Sequence, residues 1–317
     1  ETITVSRCVR VQVAAKMEKT TLQRARGAID LVIVSGKLKR FYQSGSAKIF
    51  IPKTYAKTTE AVLVNTAGGL TGGDIFGAKL RADGDTHLTV STQTAERVYC
   101  ALGPQAAKIT IDIDLGGKAS LHWLPQETIL FDGAGFSRHL KVEMDDAASF
   151  LASEMMVFGR TAMHETVRQG NISDQWRISR GGRLIHAEAL RLDGHIDEKL
   201  LQPASADGGV CVATTLYVSR DAEAKADAVR SFFKNHDDVR TAVSAWDGKL
   251  VIRSYCGNTA LLKRLKSQFI VQFRNISNPR VWNDLWILPS LDEVLVGQCD
   301  SVEPHGNVDD WLLPHGG

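Results

Sequence analysis

Short segments in which apolar and polar residues alternate recur through the first two thirds of the chain. Ile29 to Val34, Ala47 to Ile51, Ala61 to Val64, His87 to Thr92, Lys108 to Leu115, Ser120 to Trp123 and Arg138 to Met144 are rich in Val, Ile, Leu and Thr, and Ile3 to Val13 has the same character. A period of two sets one face of a segment against a core, which predicts strands. Turn signals part them: Ala82-Asp83-Gly84-Asp85, Leu115-Gly116-Gly117-Lys118, Asp132-Gly133 and Arg180-Gly181-Gly182-Arg183. So many strands without helical patterns between them predict stacked antiparallel sheets rather than a parallel α/β fold.

Helical periodicity enters later. Asp221 to His236 is Ala-rich, with Ala228, Val229, Phe232 and Phe233 on one side and Ser219 or Asp221 as candidate caps. In Thr259 to Phe273 the residues Leu261, Leu265, Phe269 and Phe273 recur every fourth position, with Lys263, Arg264 and Lys266 opposite. Such a stripe is expected to face the core. Leu250 to Tyr255 reads as a strand between these helices, and Leu201 to Gly209 as a linker.

Composition narrows the class without naming a task. The 317 residues can bury a sizeable core, and 44% hydrophobic with 23% charged residues is ordinary for a soluble globular protein. A net charge of +2 offers no basic stripe for nucleic acid, and no apolar run is long enough to span a bilayer. The start, Glu1-Thr2-Ile3-Thr4-Val5-Ser6-Arg7-Cys8, lacks the pattern of a signal peptide, so a cytoplasmic protein is expected. Cys8, Cys100, Cys211, Cys256 and Cys299 are scattered, with no Cys-x-x-Cys pair for zinc or redox chemistry.

The most unusual stretch is Asn65-Thr66-Ala67-Gly68-Gly69-Leu70-Thr71-Gly72-Gly73-Asp74, which follows the strand Ala61 to Val64. Two Gly-Gly pairs let a backbone adopt conformations closed to other residues and let something approach the main chain. A phosphate-binding P-loop is excluded, because Asp74 stands where Lys is needed after Gly73. A dinucleotide fingerprint fails as well, since Ile75 to Leu80 reads as another strand instead of a helix. Tight turns in a β-rich domain are the plainer reading. The rival is a small-ligand or anion site in loop 68–73.

Enzymatic machinery is not assembled. There is no Gly-x-Ser-x-Gly and no His-Glu-x-x-His, and the nine histidines are dispersed. His122, beside Trp123, is expected to be a hydrogen-bonded core residue. Asp74, Glu127, Asp132, Glu154 and Glu165 remain as the notable carboxylates. Each has a bland role available as a turn acceptor or ion-pair partner. Carboxylates beside Gly-rich backbone also suit transient handling of a divalent cation, since oxygen holds nickel less tightly than thiolate or imidazole.

Four blocks in order carry a resemblance. Asn65 to Asp74, Trp123-Leu124-Pro125-Gln126-Glu127-Thr128-Ile129-Leu130-Phe131-Asp132-Gly133-Ala134, Phe158-Gly159-Arg160-Thr161-Ala162-Met163-His164-Glu165 and Pro279-Arg280-Val281-Trp282 resemble the motifs of the urease accessory protein D family, UreD or UreH. The resemblance implies a mainly β fold of stacked or helically wound antiparallel sheets with a small C-terminal two-helix subdomain. The expected layout is a UreD-like domain over 1–283, with its β body at about 3–216 and helical part at about 217–283, then an extension over 284–317.

It also implies a non-enzymatic scaffold that docks on urease apoprotein and, with accessory proteins F and G, delivers nickel. GTP would belong to protein G, and no permanent cofactor is expected beyond transient nickel(II). An internal path for the metal is expected, with Asp74 and Glu165 as its carboxylates by motif position and Glu127 and Asp132 as further candidates. His164 stands where the family has Gly, a departure that would narrow the passage or add a ligand. Asn65, Gly68, Gly69, Gly72 and Gly73 form the signature loop. Cys299, His305 and His315 in the extension are possible extra ligands; incidental residues are the plainer reading.

Overall fold

The computed structural model describes residues 23–53, 58–160, 163 and 165–277. Ile3 to Val13, His164, Pro279 to Trp282 and the extension with Cys299, His305 and His315 lie outside the described residues.

In chain order the strands are β1 (Arg26–Val34), β2 (Lys37–Gly45), β3 (Ala47–Phe50), β4 (Thr59–Asn65), β5 (Ile75–Asp83) and β6 (His87–Thr92). They continue as β7 (Glu96–Val98), β8 (Ala107–Leu115), β9 (Ser120–Leu124), β10 (Thr128–Leu130), β11 (Ala134–Met144) and β12 (Ser149–Phe158). The last are β13 (Gln169–Arg180), β14 (Arg183–His195), β15 (Cys211–Val218), β16 (Arg240–Trp246) and β17 (Lys249–Cys256). The α-helices among the described residues are α1 (Ile196–Leu200), α2 (Ala226–Phe233) and α3 (Thr259–Ser277).

The strands build two facing sheets, so the fold is mainly β as expected. One has the order β14-β13-β11-β8-β5-β1-β2, and the other β16-β17-β15-β12-β9-β6-β4-β3, with β10 paired to β12 and β7 to β10 off that path. From β4 to β13 the chain winds as a coil, crossing from one sheet to the other and back. Strands that become neighbours within a sheet therefore run the same way. β1, β5, β8, β11 and β13 are parallel in succession, as are β4, β6, β9 and β12. Antiparallel pairing is confined to the ends of the coil, where β2, β3, β14 and β15 to β17 return on themselves. The expectation of antiparallel sheets is corrected in that respect: alternation of period two is the same in either direction, and the crossovers, not the alternation, decide it.

Side chains from the inner faces fill the lumen of this coil. Ile29, Leu31, Leu80, Ile111, Leu121, Phe136, Phe150 and Trp176 belong to one continuous cluster. β12 is buried on both faces, because its outer face is covered in turn. Leu151, Tyr217, Leu250 and Ile252 pack there against Val229 of α2 and Phe269, Ile270 and Phe273 of α3. The apolar stripe of α3 is thus core, as its spacing predicts. Its basic residues divide, however. Only Arg264 is exposed, whereas Lys263, Lys266, Ser267, Ile270 and Arg274 form a second stripe beside the first and face a cavity. Positions i, i+3, i+4, i+7 and i+11 share one side of a helix, which is why those five residues meet.

Candidate functional site

The signature loop joins β4 to β5 and is pressed onto the chain between β7 and β8. Leu70 N–H donates to the Arg97 carbonyl at 2.7 Å, and Tyr99 N–H to the Leu70 carbonyl at 2.8 Å. A Cβ on Gly72 would lie 2.4 Å from the Gln105 carbonyl oxygen, and one on Gly69, at φ +140°, 2.5 Å from the Tyr99 ring. These glycines serve close approach between parts of the same chain. Gly68, at φ +76°, has open space where its Cβ would stand.

Asp74 is buried beneath the loop. Its carboxylate accepts from Ala25 N–H at 2.7 Å and from Thr71 N–H at 2.8 Å, so it ties the loop to the start of β1. Asn65 turns its side-chain amide to Glu96 at 3.2 Å and to the Gly69 carbonyl at 3.4 Å. Glu96 is one of the residues that the sequence reading missed, with Arg138, Asp174 and Glu188. Burial pushes its pKa up to about 7, against the hydrogen bonds from Asn65 and the Arg97 backbone, and the Asp74 charge adds to the rise. Its carboxyl is therefore divided between the neutral and charged forms near neutral pH.

Glu96 stands at one cavity of about 200 Å³, which Asn65, Gly68, Gly69, Trp123, Thr128 and Arg138 also line. A second, of about 180 Å³, runs onward from Arg138 past Glu154 and Asp174 to Glu188 and Arg253. Both cavities touch Arg138. Its guanidinium makes a paired contact with Asp174, Nε to Oδ1 at 2.9 Å and Nη2 to Oδ2 at 2.7 Å. From the facing sheet Glu154 meets the same guanidinium and accepts from Trp123 Nε1 at 2.5 Å, while Thr128 takes Arg138 Nη1 at 3.3 Å.

Register explains the pairing. Arg138 and Asp174 are direct partners across β11 and β13, and both occupy the inward phase of their strands, as Phe136-Arg138-Leu140 and Ile172-Asp174-Trp176. Burial disfavours the Arg138 charge, but Asp174 and Glu154 together outweigh it and raise its pKa. Desolvation raises the pKa of Glu154, and Arg138 opposes the rise. Two carboxylates thus share one guanidinium at the junction. At the far mouth, burial works against the charge of Glu188, but hydrogen bonds from His186 and Arg253 bring its pKa down to about 2.

The other expected residues are dispersed. Glu165 receives Arg160 Nε at 2.6 Å and borders a hollow of about 520 Å³ with Asp197 and Val210, which shares Phe158 and Leu200 with the second cavity; Asp74 is not among its lining residues. Glu127 takes Lys263 Nζ at 2.9 Å on the outer side of the second sheet. Asp132 Oδ1 accepts from the backbone N–H of Arg168 at 2.7 Å and of Gln169 at 2.9 Å, which ties the link between β10 and β11 to the start of β13. His122 is buried, and desolvation lowers its pKa well below the usual range, with help from Arg274 and His87; it is a neutral core residue. Among the described residues no three side chains of His, Cys, Asp or Glu gather as metal ligands, and no helix is long and apolar enough to cross a membrane.

Comparison with known proteins places these features. Residues 25–283 match the family model described as UreD urease accessory protein. A protein from Rhizobium leguminosarum bv. viciae described as urease accessory protein UreD is 42% identical over 269 residues, which cover 83% of this chain and 97% of the relative. Proteins of the same description from Agrobacterium fabrum, 41% identical over 82% of this chain and 91% of the relative, and from a Jannaschia species, 39% identical over 83% and 97%, are similar to it along the same length.

Proposed function

The chain belongs to the UreD urease accessory protein family, and from that premise we propose that it serves urease maturation as a non-enzymatic scaffold carrying nickel(II) through its interior. In this reading it docks in the cytoplasm on urease apoprotein and, with accessory proteins F and G, passes the metal to the urease active site. The observation that carries the reading is the pair of cavities that meet at Arg138, with Glu96, Glu154, Asp174 and Glu188 spaced along them.

Singly or doubly placed carboxylates bind a divalent ion weakly enough to release it, which transit requires. Glu96, poised near neutrality, gives up a proton as the cation arrives. At the junction Glu154 and Asp174 exchange the Arg138 guanidinium for the passing metal, so the Arg closes the path when no ion is present. Asp74 contributes through Glu96: it holds the loop and raises the proton affinity of its neighbour. Glu165, held by Arg160, stands at the hollow that adjoins the second cavity at Phe158 and Leu200.

The rival reading of the glycine loop as an anion grip loses ground, because the space that Gly69 and Gly72 leave is filled by Tyr99, Ala101 and Gln105. The test is co-production with urease apoprotein and accessory proteins F and G, followed by measurement of nickel in purified urease. A Glu96→Gln, Glu154→Gln double variant is expected to assemble normally yet leave urease several-fold poorer in nickel. Full nickel content with that variant, or failure of the wild type to bind either partner, would sink the proposal.

A further inference from the structure

Two thiols far apart in the chain are brought face to face by the second sheet. Cys211 opens β15 and Cys256 ends β17, 45 residues later, and the two are direct register partners in that antiparallel pair. Both are buried, in one cluster with Met155, Val157, Ala213 and, from α3, Leu262 and Leu265. Side chains directly opposite each other project to the same face of a sheet, and such partners have their Cα atoms about 4.5–5.5 Å apart. A disulfide spans Cα atoms about 4.4–6.8 Å apart, so the backbone already stands within its range.

The surrounding bonds leave room for the change. Cys211 Sγ donates to the Cys256 carbonyl at 3.1 Å, and that carbonyl also accepts from Val210 N–H at 3.0 Å, so it is not left bare when the thiol proton goes. Cys256 Sγ donates to the Asp238 carbonyl at 3.3 Å and accepts from Asn258 N–H at 3.2 Å. Thiol hydrogen bonds are weak, and turning that sulfur toward Cys211 costs little.

We propose that Cys211 and Cys256 are a modification site, at which a peroxide converts the thiol pair to a disulfide that fastens β15 to β17. In the first step the Cys256 thiolate attacks a peroxide oxygen, the O–O bond breaks, and the departing hydroxide leaves as water with the thiol proton; the sulfur is then a sulfenic acid. In the second, Cys211 sulfur attacks Cys256 sulfur, the S–S bond forms, the S–O bond breaks, and the hydroxyl leaves as water with the Cys211 proton. Two thiols are oxidised and one peroxide is reduced to two waters.

The order follows from the surroundings. Exposed Gly257 and Asn258 come directly after Cys256, and the place of a Gly257 Cβ is open, so the oxidant reaches that sulfur first. Burial pushes the Cys211 thiol up to about 12, and Cys256 adds to the rise, which makes Cys211 slow to react with peroxide by itself. A thiol-rich compartment keeps such a pair reduced until oxidant appears. Ala213, Thr214, Ser254 and Tyr255 of the same strands line the second cavity, so the bond stiffens one of its walls. The site stands on strand register and not on the nickel reading.

The experiment treats the full chain carrying Cys8→Ser, Cys100→Ser and Cys299→Ser with a small excess of hydrogen peroxide near neutral pH. The expected product is two hydrogens lighter by mass, gives one linked peptide pair containing Cys211 and Cys256 on digestion without reductant, and melts several degrees higher, since the cross-link restricts the unfolded chain. Dithiothreitol should reverse all three. A further Cys211→Ser should abolish the link and leave on Cys256 a sulfenic acid that dimedone traps, whereas Cys256→Ser should leave Cys211 reduced. The wild-type chain should yield the same linked pair, so any loss of stability from the serines does not decide the matter. Two thiols that still titrate after unfolding, or sulfinic acid at Cys256 without a linked peptide, would overturn the proposal. So would a link that forms only when the chain is oxidised in urea.

Discussion

Ser153 and Glu154 are neighbours on β12, yet they open onto cavities of opposite electrical character. Glu154 faces the lumen, where it and Asp174 outnumber the single guanidinium of Arg138. Ser153 faces α3, where Lys263, Lys266 and Arg274 line the cavity with Glu60 and Glu127. Because successive residues of a strand point to opposite sides, one backbone thickness separates the acidic junction in the lumen from a cavity into which the basic side chains of α3 reach. The two are not electrically independent, for Glu154 and Lys266 each feel the other's charge through the sheet. The pairing shows that charge sign at a cavity is set by strand phase and helix face, not by the local composition of the chain.

The largest test of this contrast removes the lumen's only cation at the junction. Arg138→Leu leaves Glu154 and Asp174 facing each other without a partner, and should cost about 3–5 kcal/mol of stability by urea denaturation at pH 7. Adding Glu154→Gln and Asp174→Asn should recover most of that loss; if it does not, the triad is not what the Arg stabilises.

Glu96→Gln should act in the opposite direction. The folded-state pKa of Glu96, about 7, lies above the ordinary carboxylate value, so folding favours its proton. That contribution is complete below about pH 4.5 and is lost as the pH rises through 7. The variant should therefore be about 1–2 kcal/mol more stable than wild type at pH 8 and indistinguishable from it at pH 4. A variant without this pH-dependent gain would show that Glu96 is better solvated than its setting implies.

On the outer face the effects are smaller. Lys266 has a depressed pKa of about 8, so folding penalises its proton. Wild-type stability should rise from pH 8 toward 10, and Lys266→Met should stabilise the protein at pH 7 by up to about 1 kcal/mol after allowance for partial exposure. Glu127→Gln frees a half-exposed Lys263 and should change stability by about 0.2–1 kcal/mol.

Much of the architecture is legible in the residue pattern, and the exceptions have physical causes. β6 falls at His87–Thr92, where the alternation puts it. β2, Lys37–Gly45, escapes notice because as an edge strand it is exposed almost throughout and carries no apolar period. β12 escapes for the contrary reason: both its faces are covered, so Phe150 to Phe158 shows no alternation of apolar and polar residues. Strand direction leaves no trace in the side chains.

At the site, Asp74 is visible in its motif and as a turn acceptor, the role it has toward Thr71 N–H, but its tie to Ala25 is not, since that residue lies 49 positions away in sequence. Arg138 and Asp174 could have been found. A charged residue in the inward phase of an otherwise apolar alternation needs a buried partner, and both strands show one. Nothing local marks Glu96, whose surroundings are supplied by Asn65 and Asp74 across the coil.

The crossing of the chain between sheets also bears on time. Register partners such as Phe76 and Ile109, or Ala107 and Phe136, are a whole coil apart in sequence, so each strand must wait for two segments to be made before its neighbour exists. Long loops closed before any pairing is gained make folding slow. The outer face of β12, with Leu151 and its companions, stays bare until α3 has emerged, late in synthesis. A nascent chain therefore carries an unpaired strand edge and an uncovered apolar face for most of its growth, the two features that invite aggregation. Shortening the chain before α3 would make that passing condition permanent.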